Sequence, residues 1–276
     1  MLLRSLSNFK GKNRLVKTLY KKTIETATDI RIKGKYNCEY LVPNLKEIIG
    51  FSIFADGVYE PETIQLINKL LPQNGCFLDL GANIGAISTP VSAMRPDVKI
   101  VSVEAAPWIY AYLKNNIETN GLKNVHIVNK ALFDKDDIEI DFYAPEVQFG
   151  KGSMAPVFTQ NAVKVQAIKV DTLVRQFNID KVDVIKIDVE GFESFVFNGA
   201  TELLNRPVAP DIIFEFVDWA ENSVPGIKVG AAQEVLLKAG YKLHRIDGDK
   251  LTELKEIQTA GSGNMLATKK ASATGN

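Results

Sequence analysis

Five apolar runs, each too short for a helix, recur along the chain at residues 76–80, 99–104, 125–128, 182–188 and 211–216. Runs of that length without strict polar alternation read as strands buried on both faces, the habit of parallel sheets. Helical patterns lie between them. Pro61 suits a first helical turn, and Ile64, Ile67, Leu70 and Leu71 then share a face until Pro72 stops the helix. A second helix is predicted over 108–120 with Gly121 ending it, and a third over 231–239 ending at Gly240. Strands alternating with helices give an α/β, doubly wound fold, a mostly parallel sheet covered on both faces. Residues 241–246 and 265–268 close that sheet as an antiparallel hairpin, for seven strands in all. Residues 138–143 and 163–170 alternate with period 2 and make an exposed β insert. Its tip, Gly150-Lys151-Gly152-Ser153, is predicted to be a flexible lid that touches a ligand.

Composition narrows the class. At 276 residues, 46% hydrophobic and 24% charged, the chain is an ordinary globular protein. It needs neither disulfides nor a structural metal to hold a core. Lys+Arg and Asp+Glu balance at 33 each, which argues against a nucleic-acid partner along the whole surface. No stretch has the length and apolarity of a membrane span. Cys38 and Cys76 make at most one bridge, and Cys76 opens an apolar run, so a reduced pair and a cytoplasmic location are expected. The charge is uneven, however. Residues 1–35 hold ten bases and two acids, a local charge of +8. Residues 1–48 therefore read as a basic N-terminal extension and residues 49–276 as the catalytic domain. The opening Met1-Leu2-Leu3-Arg4-Ser5-Leu6 lacks the apolar core of a secretory leader. Leu15, Leu19 and Tyr20 sit at near-helical spacing among lysines. That pattern fits either a solvated cap on the domain or an amphipathic helix against an anionic membrane or another protein. The oligomeric state is left open.

In open α/β sheets ligands bind beyond the carboxyl ends of the strands, where the strand order reverses. The residues ending each run are therefore the candidates. The first run passes into Asp79-Leu80-Gly81-Ala82-Asn83-Ile84-Gly85. A glycine turn between strand and helix brings backbone close to a ligand, although a purely structural turn would look the same. The spacing is not the G-x-G-x-x-G that seats a dinucleotide, because Asn83 stands where a second glycine would. Asp79 before the turn disfavours a pyrophosphate and favours a ligand bearing an ammonium group. Glu104 ends the second run, where a carboxylate accepts hydrogen bonds from a ribose diol. A solvated strand-end acid is its plain alternative. Ala131 follows the third run and can offer a backbone contact to a base. The fourth run ends Lys186-Ile187-Asp188-Val189-Glu190, which puts three charges on one face of a central strand. Burying them is costly unless they pair or serve a site. Glu215 ends the fifth run and is expected to face the same cleft.

Three blocks together carry a resemblance: Phe77-Leu78-Asp79-Leu80-Gly81-Ala82-Asn83-Ile84-Gly85, Val103-Glu104-Ala105-Ala106-Pro107, and Ile185-Lys186-Ile187-Asp188-Val189-Glu190-Gly191-Phe192-Glu193. The chain resembles the FkbM family of S-adenosylmethionine-dependent class I methyltransferases over about residues 50–270. Asp56-Gly57-Val58-Tyr59-Glu60 and Gly263-Asn264-Met265-Leu266-Ala267 also look like that family. The resemblance implies a Rossmann-like methyltransferase sheet with S-adenosylmethionine as cofactor. It puts Asp79, Gly81, Asn83 and Gly85 at the methionine end, Glu104 on the ribose, and Glu60, Ala131 and Asp188 in the cofactor set. It implies catalysis by Asp188 as base, oriented by Lys186 or Glu190, on a hydroxyl of a sugar or related natural product. His244 is a second candidate base, whereas His126 is read as a strand residue without a chemical role. Asp188, Glu190 and Glu215 also have the oxygen chemistry of a divalent-cation site, although no metal is assigned. An NAD-dependent oxidoreductase and a non-catalytic cofactor-binding domain are the competing readings. Pro90 departs from the pattern: it falls in the helix after the glycine turn, which must be kinked or begin later.

Overall fold

The computed structural model describes residues 11–269. Residues 1–10, including the stretch read for a leader, and residues 270–276 lie outside the described part. In chain order the strands are β1 (Thr28–Lys33), β2 (Glu39–Asn44), β3 (Cys76–Leu80), β4 (Lys99–Val103), β5 (Val125–Val128), β6 (Ala131–Leu132), β7 (Glu139–Tyr143), β8 (Ala162–Ile168), β9 (Val184–Ile187), β10 (Asp211–Val217), β11 (Lys242–Asp247), β12 (Lys250–Glu253) and β13 (Ser262–Thr268).

The main sheet has the order β5-β4-β3-β9-β10-β13-β11-β12. Its first five strands are parallel, and β13, β11 and β12 follow as antiparallel neighbours. The sheet is thus eight-stranded rather than seven. The extra member, β12, is exposed along its whole length and carries no apolar pattern by which to find it. Its signal was the turn at Gly248-Asp249, where Gly248 takes φ 61 and the hairpin closes over two residues.

The parallel strands are buried because both faces carry a core. Leu78 and Leu80 pack on one face with Val101, Ile185 and Phe214. Phe77 packs on the other with Ile100, Val184 and Ile213. Each such side chain contributes about 2–3 kcal/mol of apolar burial. The helices Pro61–Leu70, Pro107–Thr119 and Ala231–Lys238 agree with the sequence pattern to within a residue or two. The helix after the glycine turn spans Ser88–Met94, so it begins late. Pro90 then falls in its first turn, where the missing N–H has no intrahelical partner to lose.

Residues 11–48 are not set apart from the domain. The β1–β2 hairpin buries Ile32, Cys38, Tyr40 and Val42 in a third cluster with Ile84, Ala86, Ile109, Ala131 and Phe149. The outer edge of β2 is completed by side chains. Asn116 accepts from Leu41 N at 2.6 Å and donates to Leu41 O at 3.1 Å, and Asn120 accepts from Glu39 N at 2.7 Å. The helix Lys12–Leu19 rests on the helix Ile48–Asp56 through Val16, packed with Phe51 and Ala55, and through Lys12, 2.8 Å from Asp56. Packing is continuous through residue 48, where the sequence alone placed a boundary. Cys38 and Cys76 are free and buried. Among the described residues no helix is long and apolar enough to cross a membrane.

Candidate active site

The strand order reverses between β3 and β9, and a cleft opens there at the carboxyl ends of the strands. Its lining includes Gly81, Asn83, Glu104, Ala131, Lys186, Asp188, Glu190 and Glu215. Five segments far apart in sequence therefore meet as the topology requires.

The floor is the turn after β3. Gly81 has φ +85, and a Cβ there would lie 1.9 Å from the carbonyl oxygen of Asp188. Only glycine lets the two strand ends come this close. Gly81 N and Ala82 N both donate to Val103 O, which locks the turn against β4. Asn83 also sits left-handed, at φ 52, which asparagine tolerates better than most residues. Its N–H donates to Glu104 Oε2 at 2.9 Å, while Glu104 Oε1 accepts from Ala106 N at 2.8 Å. A carboxylate has about four acceptor sites, so these donors leave part of its capacity unused. Burial pushes the Glu104 carboxyl up to about 7, against the pull of those N–H groups.

Asp79, Gly85 and Glu60 are not among the lining residues. Asp79 is fully buried one register step from Lys186 and Ser102, and it accepts a short hydrogen bond from Ser88 Oγ. Its place is under the turn, in a polar row set into an otherwise apolar face, and its Oδ1 has no partner. Burial raises its pKa, with Lys186 opposing. Gly85 packs near Leu113 and Thr89. Glu60 is the left-handed residue before the helix Pro61–Leu70, its Oε2 buried without a partner. His244 is buried on β11, with β13 and β10 between it and β9, and it does not line the cleft. That placement removes it as a base. His126 is exposed and lies beside the Phe177 ring.

Lys186, Asp188 and Glu190 do come together with Glu215, although β9 ends at Ile187 and Glu190 takes a left-handed φ of 51. Lys186 Nζ is 3.1 Å from Asp188 Oδ2. Burial alone would pull the lysine pKa down, but Asp188, Asp79 and Glu60 outweigh it and hold the group protonated. Ligand oxygens of Asp188, Glu190 and Glu215 all lie within 4.8 Å of one another. Burial and mutual repulsion push Glu190 and Glu215 each up to about 7. Glu190 Oε1 pairs with Lys151 Nζ at 3.1 Å, and its buried Oε2 has no partner.

Lys151 comes from the insert, whose tip lies over the cleft. Asn83 Nδ2 donates to Phe149 O at 2.8 Å, and Ser153 Oγ donates to Glu190 O at 3.3 Å. The 150–153 tip expected as a lid is therefore in contact with the strand ends. Glu47 and Tyr59 also line the cleft. Glu47 carried no sequence signal for this, since it approaches only through the fold of residues 39–56. Tyr59 is held neutral by burial beside Glu60 and Asp188.

A doubly wound sheet with a glycine turn, a buried strand-end carboxylate and a strand-end acid row defines a nucleoside-binding group-transfer enzyme. A profile of the methyltransferase FkbM domain matches residues 79–243, and the chain belongs to that family. It is a methyltransferase whose cofactor is S-adenosylmethionine. "Methyltransferase sdnD" of Sordaria araneosa is 26% identical over 187 residues, 56% of this chain and 69% of that protein. "2-O-methyltransferase NoeI" of Sinorhizobium fredii (strain NBRC 101917 / NGR234) is 23% identical over 194 residues, 63% of this chain and 78% of that protein. A solved structure, M. jannaschii TYW2 in complex with AdoMet, superposes with a TM-score of 0.43 at 13% identity, covering 88% of this chain and 86% of its own.

The residues present fit that cofactor. Glu104 lines the cleft with acceptor capacity for a diol, Gly81 lets the turn sit against the end of β9 so that backbone borders the cleft, and the acids Asp188, Glu190 and Glu215 gather where a cationic ligand would lie. When bound, the cofactor supplies an already activated methyl group on a sulfonium.

Proposed function

We propose that the chain transfers a methyl group to a hydroxyl oxygen of a sugar or related natural product. The observation that carries this is the meeting of Asp188, Glu190 and Glu215 within 4.8 Å at the mouth of the cofactor cleft. An alcohol loses its proton as it attacks, so O-methylation needs a base beside the acceptor. Asp188 is assigned that role. Lys186 occupies one of its oxygens at 3.1 Å and orients the carboxylate. Glu190 and Glu215, with pKa values raised to about 7, can receive the proton and pass it to water near neutral pH. The insert tip reaches Glu190 through Lys151 and Ser153, and alignment of the two reactants supplies most of the acceleration. The printed name of the 2-O-methyltransferase relative supports oxygen as the receiving atom.

Incubating the chain with S-adenosylmethionine carrying an isotopically labelled methyl group and a carbohydrate-rich extract, followed by mass spectrometry, tests the reading. A labelled O-methyl ether that is lost in Asp188→Asn supports it. Label found only on nitrogen or carbon overturns it. An oxidoreductase reading rests on NAD, and calorimetry should show S-adenosylhomocysteine binding and no NAD binding.

A further inference from the structure

Trp219 is 42% exposed and follows β10 directly, four residues after Glu215. A lone exposed tryptophan needs no explanation. This one is held from a second element: Phe158 of the insert meets it edge to face, centroids 5.6 Å apart at 86°. Lys151 joins the pair to the acids. Its Nζ lies 5.6 Å from the Trp219 ring centre and 5.9 Å from that of Phe158, and the same atom is 3.1 Å from Glu190 Oε1. Lys151 thus bridges two rings outside the cleft to Glu190 inside it.

The chemistry of that surface is two-sided. An aromatic face is electron-rich and attracts hydrogens that carry partial positive charge, including those on ring carbons flanked by oxygen. Lys151 has three donor hydrogens, and Glu190 Oε2 is a buried acceptor with no partner. A ligand with a carbon–hydrogen face and a hydroxyl edge satisfies both at once. A planar aromatic acceptor would stack but bring at most its edge hydroxyls to the Lys151 donors, whereas a saccharide ring carries hydroxyls around its whole rim. A cationic acceptor would compete with Lys151 for the same rings. We propose that Trp219, Phe158 and Lys151 form the acceptor subsite and hold a saccharide ring, its carbon–hydrogen face on Trp219 and its hydroxyls at Lys151 and Glu190. The assignment rests on the O-methyltransferase reading above and adds to it which residues select the acceptor.

The test uses the full chain with fluorinated tryptophan at Trp108 and Trp219, saturated with S-adenosylhomocysteine. Fluorine NMR resolves the two, and loss of one signal in Trp219→Phe assigns them. The probes are methyl glycosides of hexoses, 6-deoxyhexoses and pentoses. At least one glycoside should shift the Trp219 resonance saturably while leaving Trp108 in place. Lys151→Gln should weaken that binding by about tenfold or more, with S-adenosylhomocysteine affinity held within about twofold by calorimetry. No saturable shift from any glycoside, or equal affinity in Lys151→Gln, overturns the subsite. A glycoside that binds at Trp219 while the labelled methyl appears on a non-oxygen atom upholds the subsite and removes the O-methylation reading. An O-methyl product formed without any Trp219 response does the reverse.

Discussion

At the scale of single residues the site is a contest between burial and charge. Glu104 is 6% exposed, and its pKa stands near 7 because desolvation outweighs the backbone donors around it. Its folded pKa exceeds its ordinary 4.5, so the folded chain binds more protons than the unfolded chain between those values. Stability of the ligand-free protein should therefore fall as pH rises from about 4.5 to about 7, by on the order of 3 kcal/mol from this group. Urea melts across that range check it, and Glu104→Gln should remove this share of the slope while leaving that of Glu190 and Glu215. The same substitution should weaken S-adenosylhomocysteine by about tenfold or more, read by calorimetry, since a neutral amide is the poorer partner for a diol. Gly81→Ala should cost more than about 3 kcal/mol, because the methyl would strike Asp188 O and the φ of +85 is itself unfavourable for alanine. A denaturation midpoint within error of wild type would remove the close-approach argument. The acid row already has Lys186 and Lys151 as cations, so adding a chelator to an activity assay should leave turnover unchanged. Loss of activity restored by magnesium would instead assign Asp188, Glu190 and Glu215 to a metal.

At the scale of elements, the hairpin β1–β2 shows how an edge strand is closed without another strand. Asn116 in the last turn of the helix Pro107–Thr119 and Asn120 at its C-cap present amides to Leu41 and Glu39 as a neighbouring backbone would. Asn116 Nδ2 also donates to Ile84 O at 2.8 Å, linking hairpin and glycine turn. Asn116→Ala leaves the half-buried Leu41 N–H and carbonyl and the buried Ile84 carbonyl unpaired, and a loss of about 2–4 kcal/mol is expected. Hydrogen exchange should quicken first in β2, while β3 and β9 stay protected. Uniform exchange across both would show that the asparagine is not the hairpin's tie. The sequence did not reveal this pairing, because an asparagine in a helix usually signals nothing beyond a weak helix former.

At the scale of the whole molecule, residues 11–48 are part of the core, so removing residues 1–48 should give an aggregated product rather than a free domain. A soluble fragment with a sharp thermal transition would restore the boundary drawn from charge alone. The proposed membrane or protein contact of residues 1–35 is a separate matter, read by sedimentation with anionic vesicles at low salt. What the sequence determined by itself was everything set by short-range periodicity: the buried parallel strands, the helices between them, and the acids and glycines at their ends. Those signals are local because a strand buried on both faces is mostly apolar and a positive φ favours glycine. Tertiary structure alone decided that Asp79 lies beneath the turn rather than in the cleft, that His244 is shut away on β11, and that Lys151 from the insert meets Glu190. These depend on strand order and on which side chains meet across more than thirty residues of chain. No pattern along a single element records such distances, because they are set when separate elements pack to bury shared surface.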